Sequence, residues 1–148
     1  MSGPYVINDP ALLLSLIGKD AVVEDPAYGV QCVALVKVYG VNDGSEKCAR
    51  SRDWSQGTSV KEAVDAGKIE RGTAIATFNK DGKYLSLASG NHACFFVEAQ
   101  KDGSGFLVLE QHVDPFPDKI QNRVLKYKGK PENGAIQMNN GDCYSIIL

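Results

Sequence analysis

The hydrophobic rhythm of the chain changes about half way along. In the first half, apolar residues cluster as helices would place them. Ala11 to Ile17 is a short apolar stretch broken by Ser15 and preceded by Asp9 and Pro10. An Asp N-cap with Pro at the first helical position predicts a helix over about 10–17. A polar turn at Gly18-Lys19-Asp20 and an irregular stretch through Asp25 to Gly29 follow. Gln31 to Tyr39 is apolar on most sides, which predicts a buried central helix. Gly40 and the Asn42-Asp43-Gly44 turn end it. Residues 45–58 are polar and read as an ordered loop anchored by Trp54, the single tryptophan. Ser59 to Val64 predicts a short helix capped by Thr58 or Ser59, with Glu62 in the capping-box position if Ser59 is the cap.

Strand-type runs then take over: Gly72 to Phe78, His92 to Glu98, Phe106 to His112, Arg123 to Tyr127 and Cys143 to Leu148. Turn signals at Asn79-Lys80-Asp81-Gly82 and Lys101 to Gly105 separate the earlier ones, the second predicting a hairpin. Helices first and about five antiparallel strands afterwards predict an α+β fold, with N-terminal helices packed on a curved sheet.

Composition narrows the function classes. The chain has 148 residues, 43% hydrophobic and 23% charged, matching one globular domain spanning 1–148. The net charge of −2 is spread along the chain, so no nucleic-acid partner is expected. The N-terminus lacks a basic region and its apolar stretch is short, so neither a secretory signal nor a membrane span is expected. The protein is expected to be made in the cytoplasm, with any export using a route that needs no cleaved signal. Cys32, Cys48, Cys94 and Cys143 form no CxxC pair, which disfavours structural zinc. A disulfide among Cys48, Cys94 and Cys143 stays open at this level. No cofactor is called for.

Cys32 is the thiol placed for reactivity. A tight turn, Tyr28-Gly29-Val30-Gln31, feeds it into the first turn of the central helix. There the unpaired N–H groups and the positive helix end favour thiolate. His92, after Gly90-Asn91, opens a strand. A cysteine on a helix start and a histidine on a strand start form a candidate nucleophile–base pair. The blander reading of each is a small buried hydrophobe and a satisfied core histidine. Cys94, two residues past His92 in an apolar run, reads as core; Cys48, in a polar loop, reads as an incidental or disulfide-forming thiol.

Gly29-Val30-Gln31-Cys32-Val33-Ala34-Leu35-Val36, Gly90-Asn91-His92-Ala93-Cys94-Phe95-Phe96 and Val108-Leu109-Glu110-Gln111-His112 occur in that order. Together they resemble the papain-like NlpC/P60 and CHAP cysteine peptidases. With Gly72-Thr73-Ala74-Ile75-Ala76-Thr77-Phe78, the pattern is more narrowly similar to the BPSL0067-type branch, akin to type VI secretion amidase effectors. The resemblance implies hydrolysis of an amide bond in peptidoglycan stem peptides through a cysteine thioester, with Cys32 and His92 catalytic. It implies that the oxyanion is held by the Cys32 backbone N–H, with Gln31 or Tyr28 as polar neighbour. It also implies a third polar residue on the next strand. A turn near Asp102-Gly103 brings 110–114 across from His92, and alternation puts Glu110 and His112 on one face with Gln111 on the other. Glu110 is favoured because a carboxylate both orients and stabilises an imidazolium; His112 is the alternative, and a bulge would break the parity. A toxin of this kind implies action in the periplasm of a target cell and a cognate immunity protein in its producer.

Two other functions share these residues. A cysteine deamidase or acyltransferase on the same scaffold uses the same Cys32 and His92. A non-catalytic binding or immunity-type module instead predicts a buried, unreactive Cys32.

Overall fold

The apolar runs of the second half supply five strands of a six-stranded antiparallel sheet. The computed structural model describes residues 4–25, 29–85, 90–113, 116–132 and 135–148. In chain order the elements are β1 (Val6–Ile7), α1 (Leu12–Ser15), β2 (Val23–Asp25), β3 (Gly29–Val30), α2 (Cys32–Tyr39), β4 (Gly40–Val41), β5 (Gln56–Ser59), α3 (Val60–Asp65), β6 (Ala74–Thr77), β7 (Ala93–Ala99), β8 (Gly105–Val113), β9 (Phe116–Lys126) and β10 (Tyr144–Ile147). The large sheet runs β5-β10-β6-β7-β8-β9, and two short ribbons, β1–β4 and β2–β3, flank it. Among the described residues, no helix is long and apolar enough to cross a membrane.

The sheet is covered on both faces. On one, Leu35 and Val36 of α2 pack with Ala74, Ala76, Phe95 and Leu109. On the other, Val60 of α3 packs with Ile75, Cys94, Phe96, Phe106 and Tyr144. Double burial explains why β6 and the first half of β7 read as unbroken apolar runs, since both sets of alternating side chains leave water.

Several expectations change in detail. The first helix is only Leu12–Ser15, flanked by turns, with Ala11 at its N-cap two residues past the expected Asp9, whose Oδ1 still accepts the Ala11 N–H at 3.1 Å. Among the described residues the sheet has six strands rather than about five, because Gln56–Ser59, expected as the end of a loop and the start of a helix, pairs with β10. β9 begins at Phe116 rather than at Arg123. Its first half is polar because it lies at the sheet edge, where Ile120 alone among Asp118 to Gln121 is buried and apolar. Cys48, expected in a polar loop, is buried in the core beside Tyr5, and none of the four cysteines is in a disulfide. Trp54 is the expected anchor: it is buried and donates Nε1–H to the Ala49 carbonyl at 2.8 Å. Ser59 caps α3 by accepting the Glu62 N–H at 3.2 Å.

One buried polar side chain ties α2 to the sheet. Gln111 on β8 is fully buried. Its Nε2 donates to the Gln31 carbonyl at 2.6 Å and the Val22 carbonyl at 3.0 Å, while its Oε1 accepts the Val22 N–H at 2.7 Å. Gln31 is the N-cap residue of α2, and its carbonyl also accepts the Ala34 N–H at 3.1 Å. The start of the helix is therefore held by the sheet as well as by its own first turn. Gln111→Met keeps the volume and deletes three hydrogen bonds at about 1 kcal/mol each. Guanidinium unfolding should show a loss of about 3 kcal/mol; an unchanged midpoint would remove Gln111 from this role.

Candidate active site

The N-terminus of α2, the start of β7 and the far end of β8 converge on one cleft of about 920 Å³. Cys32 is the first residue of α2 and opens into that cleft. Gln31 before it is extended (φ −137°, ψ 159°), so the chain turns into the helix at the thiol. The first N–H groups of α2 point out of its end and have no carbonyl one turn back to bond.

His92 sits just before β7 with its backbone clamped to Thr77. Its N–H donates to Thr77 Oγ1 at 3.0 Å, and its carbonyl accepts the Thr77 N–H at 3.0 Å. The ring is buried, edge-on to Tyr144 with centroids 6.4 Å apart. Nε2 lies 2.8 Å from Glu110 Oε1. With Nε2 so engaged, Nδ1 is the nitrogen left to hydrogen-bond the Cys32 thiol, an interaction felt by both groups.

Glu110 is a fully buried carboxylate with four donors around it. His92 Nε2 and Arg123 Nη2 reach Oε1 at 2.8 and 3.0 Å. Gln121 Nε2 and Arg123 Nε reach Oε2 at 2.9 and 2.7 Å. Burial alone would raise the carboxyl, but the bonds and charges of His92 and Arg123 outweigh it and hold the pKa at about 2. Glu110 is therefore ionised, and Nε2 carries a proton toward it. Burial likewise pushes the His92 imidazolium down, but its partners Cys32 and Glu110 raise it to about 9. Burial pushes the Cys32 thiol up, and the hydrogen bond and charge of His92 bring it below the ordinary thiol value. A thiol below its usual range beside an imidazole above its usual range favours the thiolate–imidazolium pair at neutral pH.

Tyr84 closes the other side of the thiol. Its hydroxyl is 3.6 Å from Cys32 Sγ and accepts from Asn91 Nδ2 at 3.1 Å. The ring packs edge-on against Trp54 at 5.0 Å and Phe78 at 6.5 Å. Burial and the nearby thiol push its pKa far up, so it remains a neutral hydroxyl.

Cys32, His92 and Glu110 thus meet at one place. His112 does not join them: the β8–β9 register shifts between Gln111 and Val113, and His112 takes a left-handed φ of 62° and an exposed position at the cleft wall. The expected shared face of Glu110 and His112 is broken by that bulge. Gln31 lines the cleft, and its side chain does not cap α2. Tyr28 lies outside the described residues. Cys94 is core, with burial pushing its thiol well up.

Tyr84 and Arg123 escaped the sequence reading. Tyr84 follows a turn with no periodic context to mark it. Arg123 left a cue: alternation puts it on the same face as buried Leu125, and a charge on a core face calls for a buried partner.

The family model for domesticated amidase effector 2 (Dae2) matches residues 17–147. A Salmonella typhi protein, the type VI secretion amidase effector 2 protein, is 34% identical over 126 residues, covering 79% of this chain and 84% of that one. The solved structure of a type 6 secretion amidase effector 2 (Tae2) superposes with a TM-score of 0.73 at 27% identity, covering 98% of this chain and 94% of that one. The chain belongs to the domesticated amidase effector 2 family.

Proposed function

We propose that this protein is a cysteine amidase of the bacterial cell wall that cuts an amide bond in peptidoglycan stem peptides through a thioester on Cys32. We place it on a papain-like NlpC/P60 scaffold of the BPSL0067-type branch, as one catalytic domain. The carrying observation is the chain that runs from the cleft-facing thiol of Cys32 through buried His92 to buried Glu110, with the thiol below and the imidazole above their ordinary pKa values. A non-catalytic module has no need of that electrostatic arrangement. The membership in an amidase effector family supports delivery by a type VI secretion system, action in the periplasm of a target cell, and neutralisation in the producer by a cognate immunity protein.

The steps balance as acyl transfer. Cys32 Sγ attacks the amide carbonyl carbon, the C–S bond forms and the π pair moves to oxygen. The first N–H of α2 and the Tyr84 hydroxyl are positioned beside the thiol to donate to that oxyanion. His92 Nδ1–H protonates the leaving amine as the C–N bond breaks, leaving a thioester and a neutral imidazole. Nδ1 then takes a proton from water as its oxygen attacks the thioester, and the thiolate departs. Glu110 holds Nε2–H throughout and stabilises the imidazolium whenever it forms.

Incubating the protein with purified sacculi should release new muropeptides, read by mass spectrometry, and Cys32→Ala should release none. No new products, or full release by the variant, would sink the proposal.

The ion pair also sets a pH limit. The imidazolium persists below its pKa of about 9 and is lost above it, so kcat/KM should fall as pH rises through about 9. Glu110→Gln removes an anion that favours the imidazolium, so this alkaline limb should move down toward neutrality. Turnover should drop by roughly 100-fold or more, as when a histidine's orienting carboxylate is neutralised. A limb that stays at about pH 9 in the variant would exclude Glu110 from this function.

A further inference from the structure

The cleft carries a charge opposite to that of the chain. The protein has a net charge of −2, with 18 acidic and 16 basic residues. Yet the described residues lining the cleft include Arg123, Lys126 and Lys128 and not one Asp or Glu. Arg123 is committed to Glu110 and Asn139. The two lysines differ. Among the described residues neither forms an ion pair, whereas Lys61 and Lys119 pair with Asp65 and Asp20. Asp102, whose charge reaches Lys126, accepts hydrogen bonds from the Ser104 N–H at 3.0 Å and the Ser104 hydroxyl at 2.6 Å instead of forming a salt bridge with that lysine.

The backbone beneath these lysines is fixed. Lys126 ends β9 opposite Gly105. The Tyr127 N–H donates to the Ser104 carbonyl at 2.9 Å, and the Lys128 N–H donates to Asn140 Oδ1 at 3.0 Å. Val124 and Met138 supply apolar lining to the same cleft. The register also gives the reach. Glu110 lies opposite Gln121, five residues along β8 from the level of Lys126, or roughly 17 Å at about 3.4 Å per residue. An extended peptide covers that span in about five residues.

We propose that Lys126 and Lys128 form a binding subsite for a free carboxylate on the arm of the substrate peptide farthest from the scissile bond. This rests on the amidase reading for the identity of the peptide. It adds that the preferred substrate is anionic and extended, bearing a free carboxylate several residues from the cut. Two exposed ammonium groups with no salt bridge among the described residues, in a wall whose described residues include no Asp or Glu, attract such a group and disfavour a neutral or cationic one. The attraction is exposed, so it weakens as salt shortens the screening length below about 8 Å.

The test is binding, which does not depend on turnover. Cys32→Ala protein is titrated by fluorescence anisotropy with a labelled cross-linked muropeptide bearing free carboxylates, and with the same muropeptide fully amidated. The Lys126→Glu/Lys128→Glu pair on that background should bind the anionic form about tenfold more weakly. Its affinity for the amidated form should move by less than twofold, with the thermal midpoint unchanged. Lys→Gln at both sites should fall between. Equal affinities for the two muropeptides, or an equal loss for both on charge reversal, overturns the subsite. If the wild type leaves sacculi uncut while the lysine-dependent binding persists, the amidase reading fails and the anionic subsite stands.

Discussion

An ionised carboxylate taken out of water costs several kcal/mol unless its lone pairs are met by donors and its charge is balanced. Glu110 meets both conditions with four donors from His92, Gln121 and Arg123. The same geometry does two things at once. It stabilises a charge in the middle of the sheet, and it fixes which imidazole nitrogen faces the thiol. Arg123 keeps Glu110 ionised, Glu110 keeps His92 protonated and oriented, and His92 lowers the Cys32 thiol. Removing any member leaves the next as an uncompensated buried group. The chemistry of the site and the integrity of this part of the sheet therefore depend on the same contacts.

β8 is the element that gathers both halves of the site. Alternation sends Glu110 toward His92 on the face covered by α3, and sends Gln111 toward the start of α2 on the other. Two successive residues thus position the two reacting groups, one through a ring nitrogen and the other through the carbonyl that precedes the thiol. A slip of register by one residue would exchange those faces and separate the pair. The bulge that follows Gln111 turns His112 out to the cleft wall, so β8 contributes its last polar residue to the surface of the cleft rather than to its buried chain.

Placement of the thiol follows from packing more than from its own bonds. α2 has only eight residues, too few to be stable alone. Leu35 and Val36 fix it against β6, β7 and β8, Gln111 fixes its N-cap, and Tyr84, wedged on Trp54 and Phe78, walls the thiol from the loop side. Each contact spans dozens of positions in the chain, which is why a nucleophile at the end of a short helix can be rigid.

The change from helical to strand-type runs, a central helix with Cys32 in its first turn, a strand opening at His92 and a hairpin bringing residues 110–114 across from it were legible in the sequence, whereas the short strands before β6 were not. Each rests on local periodicity, turn chemistry or a fixed strand offset. Chemistry favoured Glu110 over His112 but local geometry did not, because both satisfy strand alternation and only a bulge set by the β8–β9 register separates them. Tyr84 and the polar half of β9 left no signal, and Arg123 left only the cue of a charge on a core-facing position. An edge strand shows no full apolar alternation, and a buried charge or hydroxyl is defined by partners far away in sequence. The chain by itself determined which residues could do the chemistry. Tertiary structure alone decided which of them share a desolvated site, because pKa shifts and hydrogen-bond geometry depend on distances that local sequence does not encode.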